Sequence, residues 1–376
     1  MVRPRIDDVA RRAGVSKTSV SFAFNKPDHL KAETRDRILA AAAELGYRPS
    51  QIARRLARRR TDQIGLVVPQ STHDIFANPF LPELVRGIGD VCDAEGIAVV
   101  IVPPVGGSIS RAVDSALVDG LILLGLAPNH PDLDEVRNSG TCLVGLDIED
   151  PTGFDLIGID DGAGASQAAA HLYALGHRDV AVVLIAEHPD LPVDEHHGIS
   201  ARRLAGVRAG FGLAPGTDSS DASGNGAAAT AADGAVRLRI LSTQVSEEGG
   251  RAALTTLLGD DHLPTAVITM SDVTAIGVMA GAADAGIAVP DDLSIVGFDD
   301  IPAASWTTPR LTTVHQPIRE KGRRAAHRLI QAIRSGSEHR PVVEVLPTRL
   351  VVRGTTASPR GAEALVRPQG GGVATA

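Results

Sequence analysis

Lys17, Thr18 and Ser21 are short polar or basic side chains at one-turn spacing in the stretch Ser16-Lys-Thr-Ser-Val-Ser. Presented on the first turns of a helix, such groups reach base edges in a major groove or the phosphates beside it. A second set lies downstream, where Arg54, Arg55 and Leu56 stand inside the run Gln51-Ile-Ala-Arg-Arg-Leu-Ala-Arg-Arg-Arg. Arginines there can neutralise phosphate, and a leucine among them can act as an apolar wedge between base steps of a minor groove. On composition alone the same run reads as a charged linker.

Both sets need elements to position them. Ile6, Val9, Ala10 and Ala13 recur at helical spacing, and Gly14 permits a tight exit. Ser16 is a good N-cap for a second helix running through Phe22, with Val20 and Phe24 on its inward side. Two helices joined by a glycine-containing turn make a helix-turn-helix. A third helix, from about Ala32 to Leu45, sets Ile38, Leu39, Ala42 and Leu45 on one stripe and ends at Gly46. Beyond Tyr47-Arg-Pro, Ser50 can cap a short basic helix that has too few turns to be stable alone, so it can fold on binding.

The charge distribution agrees with a nucleic-acid-reading head. Residues 1 to 60 hold 15 Lys+Arg against 6 Asp+Glu, a surplus of +9, so with a net charge of -8 the remainder of the 376 residues carries -17. Attraction to a polyanion is confined to the N-terminus and the body repels it. Cys92 and Cys142 are too few for a disulfide framework or metal cluster, which fits a reducing cytosol. The start, Met-Val-Arg-Pro-Arg, lacks an apolar signal core, and no apolar run has the length needed to span a bilayer.

Ile6-Asp-Asp-Val-Ala-Arg-Arg-Ala-Gly-Val-Ser, Thr18-Ser-Val-Ser, Asn25, Leu45-Gly-Tyr-Arg-Pro and Ala53-Arg-Arg-Leu together resemble the headpiece and hinge of the LacI/GalR family of bacterial repressors. The resemblance implies a homodimer that places two heads in successive major grooves of a near-palindromic operator in double-stranded DNA. Paired hinge helices would kink its centre, with Leu56 as the inserted side chain. Phe22 departs from the pattern, standing where many relatives have a basic residue. Either it offers an apolar contact to a thymine methyl or it packs inside the head.

Beyond Thr61-Asp-Gln the pattern changes to short β-rich runs at 64–68, 98–102, 120–124, 143–146, 180–185, 266–269 and 294–298, alternating with helical stretches at 81–95, 163–175 and 273–285. This alternation predicts an α/β body with two doubly wound parallel sheets. The resemblance continues through Ile64-Gly-Leu-Val-Val-Pro, Gly158-Ile-Asp-Asp, Leu175-Gly-His-Arg, Arg203-Leu-Ala-Gly and Ser294-Ile-Val-Gly-Phe-Asp-Asp. It implies a two-lobed body similar to periplasmic sugar-binding proteins, closing on a ligand between its lobes.

Ligands of open α/β sheets bind beyond the carboxyl ends of the strands. Ser71, Phe80, Leu124, Asp147, Arg203, Ser271, Asp272, Asp299, Trp306 and Gln316 fall at the strand ends and loops where the resemblance implies effector contact. A guanidinium fork and carboxylates such as Asp147 and Asp299 suit the vicinal hydroxyls of a sugar, and Trp306 or Phe80 can stack on a pyranose. Arg203 and Asp299 also admit a structural ion pair, and Phe80 and Leu124 admit a core role. Ser271 stands where many relatives carry Asn.

The expected organisation is a headpiece over 1–48, a hinge helix or linker over 49–61, a body over 62–357 and a disordered tail over 358–376. An N-terminal lobe would take about 62–161 and 292–319, and a C-terminal lobe about 162–291 and 320–357. The Gly/Ala/Ser/Asp-rich segment 213–235 reads as a mobile surface loop. The tail has no leucine heptad, which favours a dimer over a tetramer.

An enzyme on the same scaffold needs motifs that are missing. Gly162-Ala-Gly164 is followed by Gln167 at the third glycine position, and there is no Walker loop, His-Glu-x-x-His or Gly-x-Ser-x-Gly. His196-His197 reads as a surface pair, because adjacent residues do not share a helical face. The expectation is therefore a cytoplasmic, nucleoid-associated repressor of carbohydrate-utilisation genes, controlled by a sugar-like effector, with no catalytic residue, metal or cofactor.

Overall fold

α1 (Ile6–Ala13), α2 (Lys17–Asn25) and α3 (Ala32–Glu44) build the N-terminal unit of the computed structural model. The structure describes residues 4–25, 27–47, 60–70, 72–126, 130–149, 153–185, 198–213, 228–231 and 234–360. It divides into a unit of residues 1–63 and a unit of residues 64–376. In the head, Gly14 ends α1 at φ 64°, a left-handed conformation that suits glycine. Ser16 Oγ accepts the Ser19 amide at 3.1 Å, as an N-cap should. Val9, Ala10, Ala13, Val20, Ile38, Ala41 and Ala42 form the core, with Phe24 and Tyr47 packed against it. Leu39 and Leu45 are exposed, contrary to the stripe expected of them. The buried stripe runs Ile38, Ala41, Ala42, one position off Leu39, and Leu45 is already the C-cap.

In the body, β1 (Gln63–Val67), β2 (Ala98–Val102), β3 (Gly120–Leu124), β4 (Cys142–Leu146), β5 (Asp155–Ile159) and β12 (Val343–Leu346) join in the order β12-β5-β4-β3-β1-β2. A second sheet has the order β13-β11-β10-β9-β6-β8-β7, from β6 (Asp179–Ile185), β7 (Ala228–Ala231), β8 (Gly234–Thr243), β9 (Ala266–Thr269), β10 (Ser294–Asp299), β11 (Thr312–His315) and β13 (Arg349–Val351). Pairings such as Leu123 with Gly145 and Val182 with Ile268 are parallel. The β11–β13 and β7–β8 pairs are antiparallel. The near-continuous apolar runs follow from this, because β3, β9 and β10 are buried along their whole length.

The helices are α4 (Thr72–Ala77), α5 (Phe80–Glu95), α6 (Ile109–Ser115), α7 (Leu133–Asn138), α8 (Asp161–Leu175), α9 (Gly198–Gly210), α10 (Glu247–Gly259), α11 (Asp272–Asp284) and α12 (Ile318–Ser335). α12 lies on β3, β4 and β5 and pairs with α5, whereas α8 and α9 pair on the second sheet. Glycines let these pairs come together: a Cβ at Gly87 would strike the backbone of Arg319, and one at Gly206 would strike that of Gly162.

Two organisational expectations are corrected. Residues 294–315 belong to the C-terminal lobe, and 318–346 to the N-terminal lobe, the reverse of the assignment made from sequence. The chain therefore crosses between lobes after β5, after β11 and after β12. β5, β11 and β12 are short and carry weak local signals, so the sequence reading has the same three crossings but misplaces the second and third. The end of the 213–235 segment is also not loop, since β7 and the start of β8 form a hairpin there. Residues 214–227 lie outside the described set. At the tail, Arg360 is held by Asp291 and Asp292, each at 2.7 Å, and 361–376 lie outside the described residues. Among the described residues no helix is long and apolar enough to cross a membrane, and no group of His, Cys, Asp and Glu could hold a metal ion.

Candidate functional site

The outward side of α2 presents the first candidate surface. Lys17 and Thr18 are exposed, while Ser21 and Phe22 are half-buried. Exposed Lys17 Nζ lies 2.7 Å from Oδ1 of half-buried Asp7, a contact that a phosphate can displace. Ser21 Oγ accepts from Asn25 Nδ2 at 3.3 Å. The Phe22 ring sits 5.6 Å from the His29 ring rather than in the head's core. That position leaves Phe22 half-buried at the edge of the head, outside its core. Arg54, Arg55 and Leu56 lie outside the described residues.

In the body, the carboxyl ends of both sheets converge on one chain of polar contacts. Asp161, the first residue of α8 just past β5, accepts from Arg203 Nε at 2.7 Å and from Arg202 Nε and Nη2 at 3.0 and 2.8 Å. Arg203, on α9, donates through Nη1 to the Met270 carbonyl at 2.5 Å and lies 3.9 Å from Asp299 Oδ1. Its guanidinium carbon stands 3.5 Å from the centre of the Phe298 ring, a stacking that fixes the plane of the fork. Gln316, past β11, donates to Asp299 Oδ1 at 2.5 Å. Lys321 of α12 then donates to Gln316 Oε1 at 2.7 Å and to Asp147 Oδ2, past β4, at 2.6 Å. The network thus runs from the C-terminal lobe through the second crossing into the N-terminal lobe. A separate strap joins the lobes directly, Arg202 Nη1 to Glu149 Oε1 at 2.7 Å.

The backbone is bent to make this possible. Asp147, Asp299 and Asp300 have φ values of 56°, 118° and 57°, a region that non-glycine residues rarely occupy and that often marks functional strand ends. Burial pushes the Asp299 carboxyl up to about 6, against the opposing pull of Arg203, Gln316 and Lys321. For Asp161, burial also acts upward, but the charges and hydrogen bonds of Arg203 and Arg202 outweigh it and hold the carboxyl below the usual range. Asp300 faces elsewhere, bound to His315 at 3.0 Å and Arg353 at 2.5 Å.

Of the residues singled out from sequence, Asp147, Arg203, Asp299 and Gln316 are brought together, and Phe80 joins them with its ring 5.2 Å from Lys321 Nζ. Others have different work. Ser271 caps α11 by accepting the Thr274 amide at 3.3 Å. Asp272 is fully buried, where it receives the Ile301 amide at 2.9 Å and the Thr313 hydroxyl at 2.5 Å. Burial, and then the neighbouring Asp299, raise its carboxyl well above the ordinary range. Leu124 packs in the core. Trp306 is 76% exposed and does not enclose the cluster. Ser71 lies outside the described residues.

Sequence reasoning missed Asp161, Arg202, Glu149 and Lys321. Asp161 would have followed from recognising β5, since it stands just past that strand's end. Lys321 had its own signal: it interrupts the apolar stripe Ile318, Ala325, Leu329 at helical spacing.

Comparisons with known proteins identify both units of the chain. Residues 5–50 match the family model described as bacterial regulatory proteins, lacI family, and residues 169–356 match the periplasmic binding protein-like domain. An HTH-type transcriptional regulator of Mycobacterium tuberculosis is 33% identical over 375 residues, covering 95% of this chain and 98% of its own. The HTH-type transcriptional regulator MalR of Streptomyces coelicolor is 33% identical over 374 residues, with 95% and 98% covered. Among solved structures, a Lac repressor dimer bound to operator and the anti-inducer ONPF superposes with TM-score 0.73 at 27% identity, over 95% of this chain and 100% of that one. A complex of the transcriptional regulator CelR with cellobiose gives 0.64 at 27% identity, over 94% and 100%. With the helix-turn-helix head and the two-lobed body matched along nearly its whole length, the chain belongs to the lacI family of bacterial regulatory proteins.

Proposed function

We propose that the protein is a sequence-specific transcriptional repressor of carbohydrate-utilisation genes whose hold on DNA is set by a sugar-like effector bound between the lobes. The observation that carries this reading is the unbroken polar chain from Asp161 to Asp147 across the carboxyl ends of both sheets. It fixes donors and acceptors in orientations that suit a polyhydroxy ligand. Arg203, Asp299, Gln316, Asp147 and Phe80 are the proposed effector residues, and Ser71 is retained among them. Ser271, Asp272 and Trp306 are withdrawn, for the positions given above. On the head, Lys17, Thr18, Ser21 and Phe22 are assigned to the major groove, and Arg54, Arg55 and Leu56 to phosphates and a minor groove. By analogy with the operator-bound dimer of the Lac repressor, a homodimer on a near-palindromic site in the cytoplasm is the working state.

Control follows from the geometry of the network. Asp161 holds Arg203, which faces the effector, with one carboxylate oxygen and Arg202, which straps the lobes, with the other. An effector that draws Arg203 away disturbs both, so occupancy and lobe angle are coupled. Such couplings are worth about 1 to 3 kcal/mol and are reciprocal, so operator must change effector affinity by the same factor. The test is selection of bound fragments from a random DNA pool, then titration of the winning site against a sugar panel. A near-palindromic site whose affinity shifts with one sugar supports the reading. Failure to enrich any sequence contradicts it.

A further inference from the structure

Lys321 belongs to none of the residues that sequence reasoning placed in the cleft, yet it is fully buried at the centre of the network. An ammonium has three N–H donors. Two of them are used, toward Asp147 Oδ2 at 2.6 Å and Gln316 Oε1 at 2.7 Å. No acceptor among the described residues takes the third, and the ring of Phe80 lies 5.2 Å from Nζ. On its partner, Asp147 is only 8% exposed, and its Oδ1 is buried with no hydrogen-bond partner among the described residues. A buried carboxylate oxygen left without a donor costs stability unless something completes it. Asp147 also sits at φ 56°, a left-handed conformation just past the end of β4.

One spare donor and one orphaned acceptor, on groups already in contact, match one chemical group: a hydroxyl that accepts from Lys321 Nζ and donates to Asp147 Oδ1. We propose that Lys321, paired with Asp147, is a specificity-determining residue that restricts the cleft to uncharged polyols presenting such a hydroxyl. This rests on the reading of the cleft as a sugar site and narrows it. A phosphate or carboxylate has no proton to give Asp147 and would place an anion beside it and Asp299. An amine has no acceptor for Lys321 and adds a cation there. A deoxy or O-methyl sugar leaves Asp147 Oδ1 buried and unsatisfied. A phosphate, carboxylate or ammonium is thereby disfavoured at this position, and with the Asp299 carboxylate close by in the same network the fit is to the hydroxyls of neutral hexoses and their disaccharides.

The test is calorimetric titration of the full-length protein with neutral hexoses and disaccharides, hexose 6-phosphates and hexuronic acids, followed by the monodeoxy derivatives of whichever neutral sugar binds. The expected result is binding in the neutral class alone, with one deoxy position costing about tenfold or more in affinity. In Lys321→Met, and independently in Asp147→Asn, the penalty for that one deoxy sugar relative to its parent should shrink to within about threefold. A purely structural role would weaken every sugar equally and leave that ratio intact. Tighter binding of a phosphate or uronate than of any neutral sugar overturns the proposal. So does a deoxy series on the wild-type protein with no sensitive position, a measurement that needs no variant to fold. Heat from none of the three classes removes the sugar-site reading itself, and the proposal with it. Binding of a neutral sugar with unchanged discrimination in both variants removes the proposal alone.

Discussion

The proposed reading surface of the head and the polar chain of the body are both made from charged and hydroxyl side chains, but they are held in opposite ways. On α2, Lys17 is exposed and its partner Asp7 half-buried, and a pair open to solvent on the lysine side is cheap to break. In the body, Asp161 and Arg203 are buried against each other, and each also carries a further partner. On the proposed reading, loosely held surface groups re-aim toward a duplex whose phosphates replace their partners. A buried, mutually linked chain cannot move one member without moving the next, which is what a sensor requires. The same physics that makes the head adaptable makes the cleft a transmitter.

The sharpest way to break this contrast is to cut the chain at Asp161. Asp161→Asn strands the buried Arg203 guanidinium, which should cost about 3 to 5 kcal/mol of stability, measured by urea unfolding. A cost below about 1 kcal/mol would mean that the chain is not held as described. Because the Asp161 carboxyl is held below its usual range, its contribution is present above the ordinary carboxylate pKa. It is lost as pH falls through the lower, folded-state value.

Next in size is the pH dependence of effector binding. Burial raises Asp299 to about 6, so an effector that donates to its carboxylate binds fully above that pH. Affinity should fall about tenfold for each pH unit below it. Titration calorimetry between pH 5 and 8 checks this, and Asp299→Asn should flatten the profile. His177 gives a companion effect on stability: burial lowers its pKa while its ring nitrogens bridge Thr265 Oγ1 and the Ala357 carbonyl at 2.8 and 2.9 Å. The folded state favours the neutral ring, so stability is full above the ordinary histidine pKa and declines as pH falls below it.

Smaller still is the strap. Arg202 and Glu149 are partly exposed, so Glu149→Gln should change unfolding free energy by no more than about 1 kcal/mol. Its signature should appear instead as a shift in effector affinity, since the strap favours one lobe angle. The smallest effect on stability belongs to the head: Lys17→Ala should alter it by less than about 0.5 kcal/mol. Yet it should reduce the slope of log affinity for operator against log salt by about 1, if Lys17 meets a phosphate. A large stability loss in Lys17→Ala would erase the contrast between the two regions.

Much of the fold was legible because its signals are local. Strand 98–102 and the capped helices of the head follow from runs and caps confined to a few residues. What was not legible depends on long-range pairing. β12 alternates exposed and half-buried residues at a sheet edge, so Val343 and Val345 gave no core signal. Missing it reversed the lobe assignment of α12. The same gap hid the role of Lys321, whose partners lie 174 and 5 residues away. Ser271 and Asp272 stand at a strand end as expected, but spacing does not distinguish a side chain turned toward a cleft from one turned back onto its own helix, as Ser271 is, or onto a neighbouring loop and strand, as Asp272 is. Hydrogen-bond geometry does.

The central claim is that occupancy of the cleft at Arg203 changes the grip of the head on DNA. Its most direct test is the operator affinity of the full-length protein at fixed salt, with and without the sugar that calorimetry identifies, in the wild type and in Arg203→Ala. The account predicts a shift of about 5- to 150-fold in the wild type, and none in the variant. An operator affinity that the bound sugar leaves unchanged in the wild type, or that shifts equally in Arg203→Ala, would contradict it.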